Sequence, residues 1–171
     1  MIHSKKMILW LVTLGLFTIV TLGCSIKPAQ EEATDTDIAR VKLTDLNGQV
    51  LQLKALQGKV VFINLWATWC GPCLQEMPSI ERAQEMLKEK NIKFLLASNE
   101  EADRIQSFVK SRSLNSSYVR LENMEELAVP ALPTTYVFNQ EGKLVFSETG
   151  SRQWDSPENI EMLTKIINSH E

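Results

Sequence analysis

Apolar and polar residues along this chain fall into runs whose spacing predicts most of its elements. Val41 and Leu43, then Val50, Leu51 and Leu53, alternate around Asn47-Gly48, which predicts a β-hairpin with a two-residue turn. Residues 60–66, VVFINLW, form a nearly continuous apolar, β-branched run, the pattern of a central strand covered on both faces. A helical pattern follows, with Met77, Ile80, Ala83, Met86 and Leu87 on one face. Residues 92–98, IKFLLAS, predict another buried strand, and Ile105, Phe108 and Val109 mark a second helix with Asn99 as its cap. Residues 117–121 suit a short strand. Residues 134–138 and 144–148 flank Asn139–Gly142, a hairpin loop with glycine at its end. Ser156-Pro157-Glu158 opens a last helix, buried through Ile160, Leu163, Ile166 and Ile167. No internal repeat is visible.

The order is therefore hairpin, βαβ, αβ, ββα, an α/β domain. A strand–helix–strand unit in one sheet makes a right-handed crossover. Chemistry on such a sheet belongs where a strand's C-terminal end meets a helix N-terminus. Cys70 sits at that junction.

The first residues read as targeting rather than fold. Lys5 and Lys6 precede residues 7–22, apolar apart from threonines and one glycine, and the run ends at Gly23-Cys24. TLGC at 21–24 resembles a bacterial lipobox, which makes Cys24 a candidate lipidation site. An uncleaved N-terminal anchor or plain secretion are the alternatives. Residues 24–39 are polar, acidic and without periodicity, and read as a flexible tether. Residues 40–171 are then one domain with a real core. Losing residues 1–23 removes two of the 18 basic residues and none of the 21 acidic ones, deepening the net charge from −3 to −5. That argues against a nucleic-acid partner.

Three cysteines exist: Cys24, Cys70 and Cys73. With Cys24 on the tether, the domain holds a single pair, in WATWCGPC. A disulfide closing so small a loop constrains the unfolded chain little, so stability alone explains it poorly. A zinc site needs two further ligands, and the histidines are His3 and His170, one in the leader and one at the end. No metal or other cofactor is expected. At a helix N-terminus Cys70 gains from unpaired N–H groups and the positive end of the helix dipole, which favour thiolate. Cys73 lies one turn on, with Pro72 harmless in the first turn. The expected chemistry is an exposed, acidic nucleophile, Cys70, resolved by Cys73 behind it.

WCGPC after an apolar strand, with LPT at 132–134, resembles the thioredoxin superfamily. The N-terminal hairpin, NLWATWCGPCLQEMPSIE and VPALPTTYVFNQEGKLV are similar to membrane-tethered, extracytoplasmic thiol-disulfide oxidoreductases of the TlpA/ResA type. The resemblance spans about residues 40–170. It implies a thioredoxin-like fold: a central mixed sheet flanked by helices, with the N-terminal hairpin and a central αβ insertion. It implies that Pro133 is a cis-proline facing the disulfide, between Leu132 and Thr134. Thioredoxins carry a buried acid six residues before the first cysteine; here that position is Asn64, which cannot titrate. Glu76, one helical turn past Cys73, matches a functional glutamate of ResA-type proteins and is a candidate proton acceptor from Cys73. Trp66 is expected in the core. Trp69, with Gly71 and Pro72, is expected on the docking surface. Pro78 matches a proline that bends the corresponding thioredoxin helix.

By this resemblance the activity is reduction of disulfides in exported proteins, such as apocytochrome c, with electrons from a CcdA/DsbD-type membrane conduit. A disulfide oxidant or a thiol peroxidase on the same fold is an alternative, although no lone peroxidatic cysteine in a proline- and threonine-rich loop is found. A non-enzymatic tethered binding module is another, which retention of both cysteines opposes.

Overall fold

The computed structural model describes residues 37–112 and 116–169. Its strands are β1 (Leu43–Thr44), β2 (Val60–Leu65), β3 (Ile92–Ser98), β4 (Tyr118–Leu121), β5 (Thr134–Phe138) and β6 (Leu144–Thr149). Its helices are α1 (Gly71–Met86), α2 (Ala102–Arg112) and α3 (Pro157–Asn168), with 3-10 turns at Ile38–Arg40 and Leu53–Leu56. The leader, Cys24 and most of the tether lie outside the described residues. Among the described residues no helix is long and apolar enough to cross a membrane.

The strands form one sheet in the order β1-β4-β3-β2-β5-β6. β2, β3 and β4 run parallel, while β1–β4, β2–β5 and β5–β6 pair antiparallel. This is the expected mixed sheet, with α2 and β4 as the central insertion. β2 is buried at every position because both its faces are covered. Val60 and Phe62 join the core under α1 and α3, with Ile80, Ala83, Leu163 and Ile167. Val61, Ile63 and Leu65 face the opposite core, with Ile38, Val41, Leu53 and Leu121. The period-two alternation thus survives inside an apolar run, each face finding its own layer. It also puts Asn64 on the α1 side. Phe62 packs against Phe94 and, edge-on, Trp154, with ring centroids 4.7 and 4.8 Å away.

Several local expectations change. The N-terminal hairpin is minimal. Its loop spans three residues rather than two, because Asp45 Oδ1 accepts from Asn47 N and Gln49 N at 2.8 Å each, with Gly48 at φ +83°. After the Thr44–Val50 bridge the second arm curls into the 3-10 turn, and β1 pairs with β4 instead. α2 opens at Ala102, where the Glu101 carbonyl accepts from Arg104 N and Ile105 N; Asn99 lies too early to cap it. Met86, at the end of α1, is exposed, and the C-cap Leu87 is buried in its place. In α3 the buried positions are Asn159, Leu163 and Ile167, with Ile160 and Ile166 partly covered. Pro78 lies inside α1.

Asp37–Ala39, assigned above to the tether, belong to the packed domain. Ile38 is buried, and its N–H donates to Gly142 O at 2.8 Å. A Cβ on Gly142 would stand 2.6 Å from Ile38 Cγ2, and its φ is +81°, so only glycine fits that contact.

Buried Asn123 fastens this N-terminal segment to the end of β4. Its Oδ1 accepts from Lys42 N at 3.0 Å and its Nδ2 donates to Arg40 O at 2.8 Å. Asn123→Ala would strand both backbone groups and should cost about 1–3 kcal/mol. Urea unfolding should show a lower midpoint with an unchanged slope; a midpoint equal to the parent's would remove Asn123 from this role.

Candidate active site

β2 delivers the chain to the sheet edge where α1 begins. Trp66 N donates to Ala97 O at 3.1 Å, and Cys70 N donates to Ala67 O at 3.1 Å, closing a tight turn. Cys70 is the N-cap of α1, with extended backbone (φ −83°, ψ 97°). Its sulfur accepts from Cys73 N at 3.3 Å. Sulfur here takes the place of the usual cap oxygen, at the positive end of a helix of 16 residues. A thiolate at this position is stabilised by the same N–H groups. Cys70 and Cys73 are joined as a disulfide, with Cα atoms 5.3 Å apart.

Cys70 is not the freely exposed sulfur expected from sequence. It is 4% exposed and Cys73 0%. It packs into the cluster that holds Trp66 and Met77, against which Leu132 also rests. The order of accessibility, Cys70 before Cys73, is kept, but the margin is narrow. Around the pair, Gly71 and Pro72 are exposed and Trp69 is 70% exposed, while Trp66 is fully buried.

Pairing of Leu65 with Thr134 aligns the end of β2 with the start of β5. Pro133, buried just before Thr134, therefore stands at the same edge as the turn into α1. The Leu132–Pro133 peptide bond is cis. Thr134 Oγ1 donates to Ala131 O at 2.7 Å, and Gly150 N donates to Pro133 O at 2.8 Å.

Glu76 lies one turn beyond Cys73 and is 2% exposed, not at the surface of an early helix turn. Asn64 Nδ2 donates to its Oε1 at 2.7 Å. Arg152 N and Trp154 Nε1 donate to its Oε2 at 3.0 and 3.2 Å. Asn64 also donates to Thr135 Oγ1 at 3.0 Å. Ser79 ties the same loop to α1: its Oγ accepts from Trp154 N at 3.1 Å. Burial pushes the Glu76 carboxyl above its ordinary range, and the Arg152 N–H, Asn64 and Trp154 bonds offset only part of that. An acid with a raised pKa one turn from a buried cysteine is suited to take a proton from it. Sequence reasoning missed Trp154, Arg152 and Ser79. The one available signal was a lone tryptophan in the polar stretch before Ser156. Among the described residues no group of three or more His, Cys, Asp or Glu side chains could hold a metal ion.

The Redoxin family model matches residues 28–163. The chain belongs to the redoxin family. This redoxin chain is 33% identical over 129 residues to the thiol-disulfide oxidoreductase ResA of Bacillus thuringiensis subsp. konkukian, covering 72% of this chain and 73% of that one. It is 33% identical over 120 residues to the protein of that name from Bacillus subtilis, covering 68% and 67%. In fold it matches the thioredoxin domain of a thiol-disulfide oxidoreductase from Bacteroides vulgatus, with TM-score 0.65 and 21% identity over 80% of this chain and 99% of that one. Within the thioredoxin superfamily it is of the ResA/TlpA type, an oxidoreductase carrying the Cys70–Cys73 disulfide.

The Glu76 site generates a pH signature. Its folded-state pKa lies above the ordinary 4.5, so the folded protein holds this proton more tightly than the unfolded chain. That stabilisation is full below the ordinary value and is lost as pH rises through the folded pKa. Glu76→Gln removes the titration. It also places an NH2 against one set of donors, a fixed cost of about 1–3 kcal/mol. In urea unfolding of the oxidised proteins across this range, the parent's advantage over Glu76→Gln should shrink as pH rises; a difference independent of pH would contradict the raised pKa.

Proposed function

We propose that this redoxin is a membrane-tethered, extracytoplasmic reductant that passes two electrons to disulfides of exported proteins. The observation that carries the reading is Cys70 as N-cap of α1, bonded to a fully buried Cys73, with Pro133 and exposed Trp69 at the same edge. In the dithiol form, the Cys70 thiolate attacks one sulfur of the partner disulfide, and the other partner sulfur leaves as thiolate. Cys73 then gives up its proton, attacks Cys70 Sγ and releases the partner's second thiol. The two electrons leave with the partner, and the Cys70–Cys73 bond re-forms. Glu76 is the proposed acceptor of the Cys73 proton. Leu132, Pro133 and Thr134 face the incoming disulfide, and Trp69, Gly71 and Pro72 form the docking rim.

A protein rather than a small molecule fits as substrate. Exposed Trp69, Gly71 and Pro72 surround the sulfurs at the surface, a rim suited to a partner chain. Exchange then takes place at a surface, where a partner chain brings its own disulfide. The similarity to proteins named ResA supports disulfide exchange with protein substrates, and the lipobox-like TLGC supports attachment through Cys24 outside the cytoplasm. The proposal adds electrons from a CcdA/DsbD-type conduit, clients such as apocytochrome c and no cofactor beyond the disulfide.

Equilibration of residues 25–171 against thiol–disulfide buffers tests the direction. A potential of about −250 mV or lower is expected, and a value near about −120 mV would make the protein an oxidant. In parallel, Cys70→Ser should abolish reduction of a protein disulfide such as insulin's, and Cys73→Ser should accumulate the mixed disulfide on a non-reducing gel. Parent-level turnover in Cys70→Ser would refute the mechanism.

A further inference from the structure

Glu100 has no place in the mechanism above, yet it binds the turn that leads into Cys70. It follows β3 and precedes α2, and its side chain is 10% exposed. Its Oε2 accepts from Thr68 N at 2.6 Å and from Ser98 Oγ at 3.2 Å. Its Oε1 accepts from Thr68 Oγ1 at 2.7 Å and pairs with Arg104 Nε at 2.9 Å. Arg104 Nε also donates to Thr68 Oγ1 at 3.1 Å. Thr68 is the second residue of the Ala67–Cys70 turn. Its N–H points out of the turn and would otherwise need another acceptor.

The chemistry of this cluster requires a carboxylate. Donors from Thr68 N, Thr68 Oγ1, Ser98 Oγ and Arg104 converge on two oxygens. An ionised carboxylate has lone pairs for all of them, whereas an amide offers one accepting oxygen and turns an NH2 toward the rest. The bonds to Thr68 hold both its backbone and its side chain, so the turn is fixed in position and in twist. The next residue is exposed Trp69 and the one after is Cys70, whose cap geometry depends on where the turn releases the chain.

We propose that Glu100, acting through Thr68 and backed by Arg104, is a positioning residue for disulfide exchange, setting the pose of Trp69 and of the Cys70 sulfur toward a protein substrate. The proposal rests on the Cys70–Cys73 mechanism above and adds a residue from a separate element, the β3–α2 connection, to the site.

The test uses the reduced protein with insulin as disulfide substrate, comparing the parent with Glu100→Gln, Thr68→Val and Thr68→Ser. Glu100→Gln should lower kcat/KM by about tenfold, as expected when a reacting group is misplaced by a fraction of an ångström. Thr68→Val, which loses the hydroxyl leg and keeps the N–H leg, should fall by a smaller factor, and Thr68→Ser should restore the parent value. The double variant Glu100→Gln/Thr68→Val should be no worse than Glu100→Gln alone, because the two share one contact. The pH profile of Cys70 alkylation by iodoacetamide should move in Glu100→Gln, a readout that a staple remote from the sulfur would leave in place. Parent-like kcat/KM and alkylation profile in folded Glu100→Gln would overturn the proposal, as would a loss accompanied by an unmoved profile. Should Glu100→Gln fail to fold, parent-like values in Thr68→Val overturn it instead. Full turnover in Cys70→Ser would signal failure of the underlying mechanism, a result separate from these.

Discussion

The Glu76 carboxylate is held inside this domain with no cation against it among the described residues, and the architecture around the disulfide is arranged to keep it there. Glu76 draws its donors from three separate parts of the chain: the Asn64 amide on β2, the Arg152 backbone, and the Trp154 indole in the loop before α3. Removing an ionised carboxylate from water is costly unless it is fully hydrogen-bonded, and even then its pKa rises. Both follow here. The three bonds make the site tolerable, and the residual cost appears as the raised pKa. Because the donors come from distant segments, the loop after β6, the helix α1 and the central strand are locked to one another at the point where α1 carries Cys73. Ser79 adds a second stitch between the same loop and helix.

Asn64 gains its meaning from this arrangement. By the thioredoxin resemblance, its position is where a buried acid is expected, and sequence alone reads the asparagine as a loss. In the structure the acid comes from α1 instead, and the strand position supplies a donor to it. Two buried carboxylates so close together would repel and could not both ionise. An amide at 64 and an acid at 76 is the combination that leaves one titrating group near Cys73, and Thr135 takes the second hydrogen of the amide.

The features legible in the sequence were those set by local pattern. The apolar run of β2, the helical period of α1, the Ser156-Pro157 start and the glycine-ended loop at 139–142 each obey short-range rules, and each stands where expected. The CGPC spacing and its place after a strand made the redox pair readable. What escaped depends on tertiary contact. Asp45 and Asn139 both bend their loops by accepting two backbone N–H groups, which spacing alone does not reveal for the first hairpin. Ile38 belongs to the core only because Gly142 leaves room for it. Trp154 and Arg152 reach Glu76 across more than seventy positions of sequence. The near-complete burial of Cys70 likewise comes from the core cluster it shares with Trp66 and Met77 rather than from its own motif.

Two opposing fields meet at the pair, one on each sulfur. The N-cap position of Cys70 stabilises a thiolate, and a stabilised reduced form makes an oxidant, as in DsbA. Taken alone, the helix terminus would push this protein in that direction. Glu76 acts on the other sulfur. A carboxylate one helical turn from Cys73, in a medium too apolar to screen it, raises the cost of placing a second negative charge nearby. Complete burial of Cys73 adds to that cost, since desolvation disfavours its thiolate. Both penalties fall on the Cys73 thiolate alone; its neutral thiol and the disulfide carry no charge and escape them. A pair whose outer sulfur is activated and whose inner sulfur resists ionisation is attacked through Cys70 and keeps Cys73 protonated until exchange reaches it.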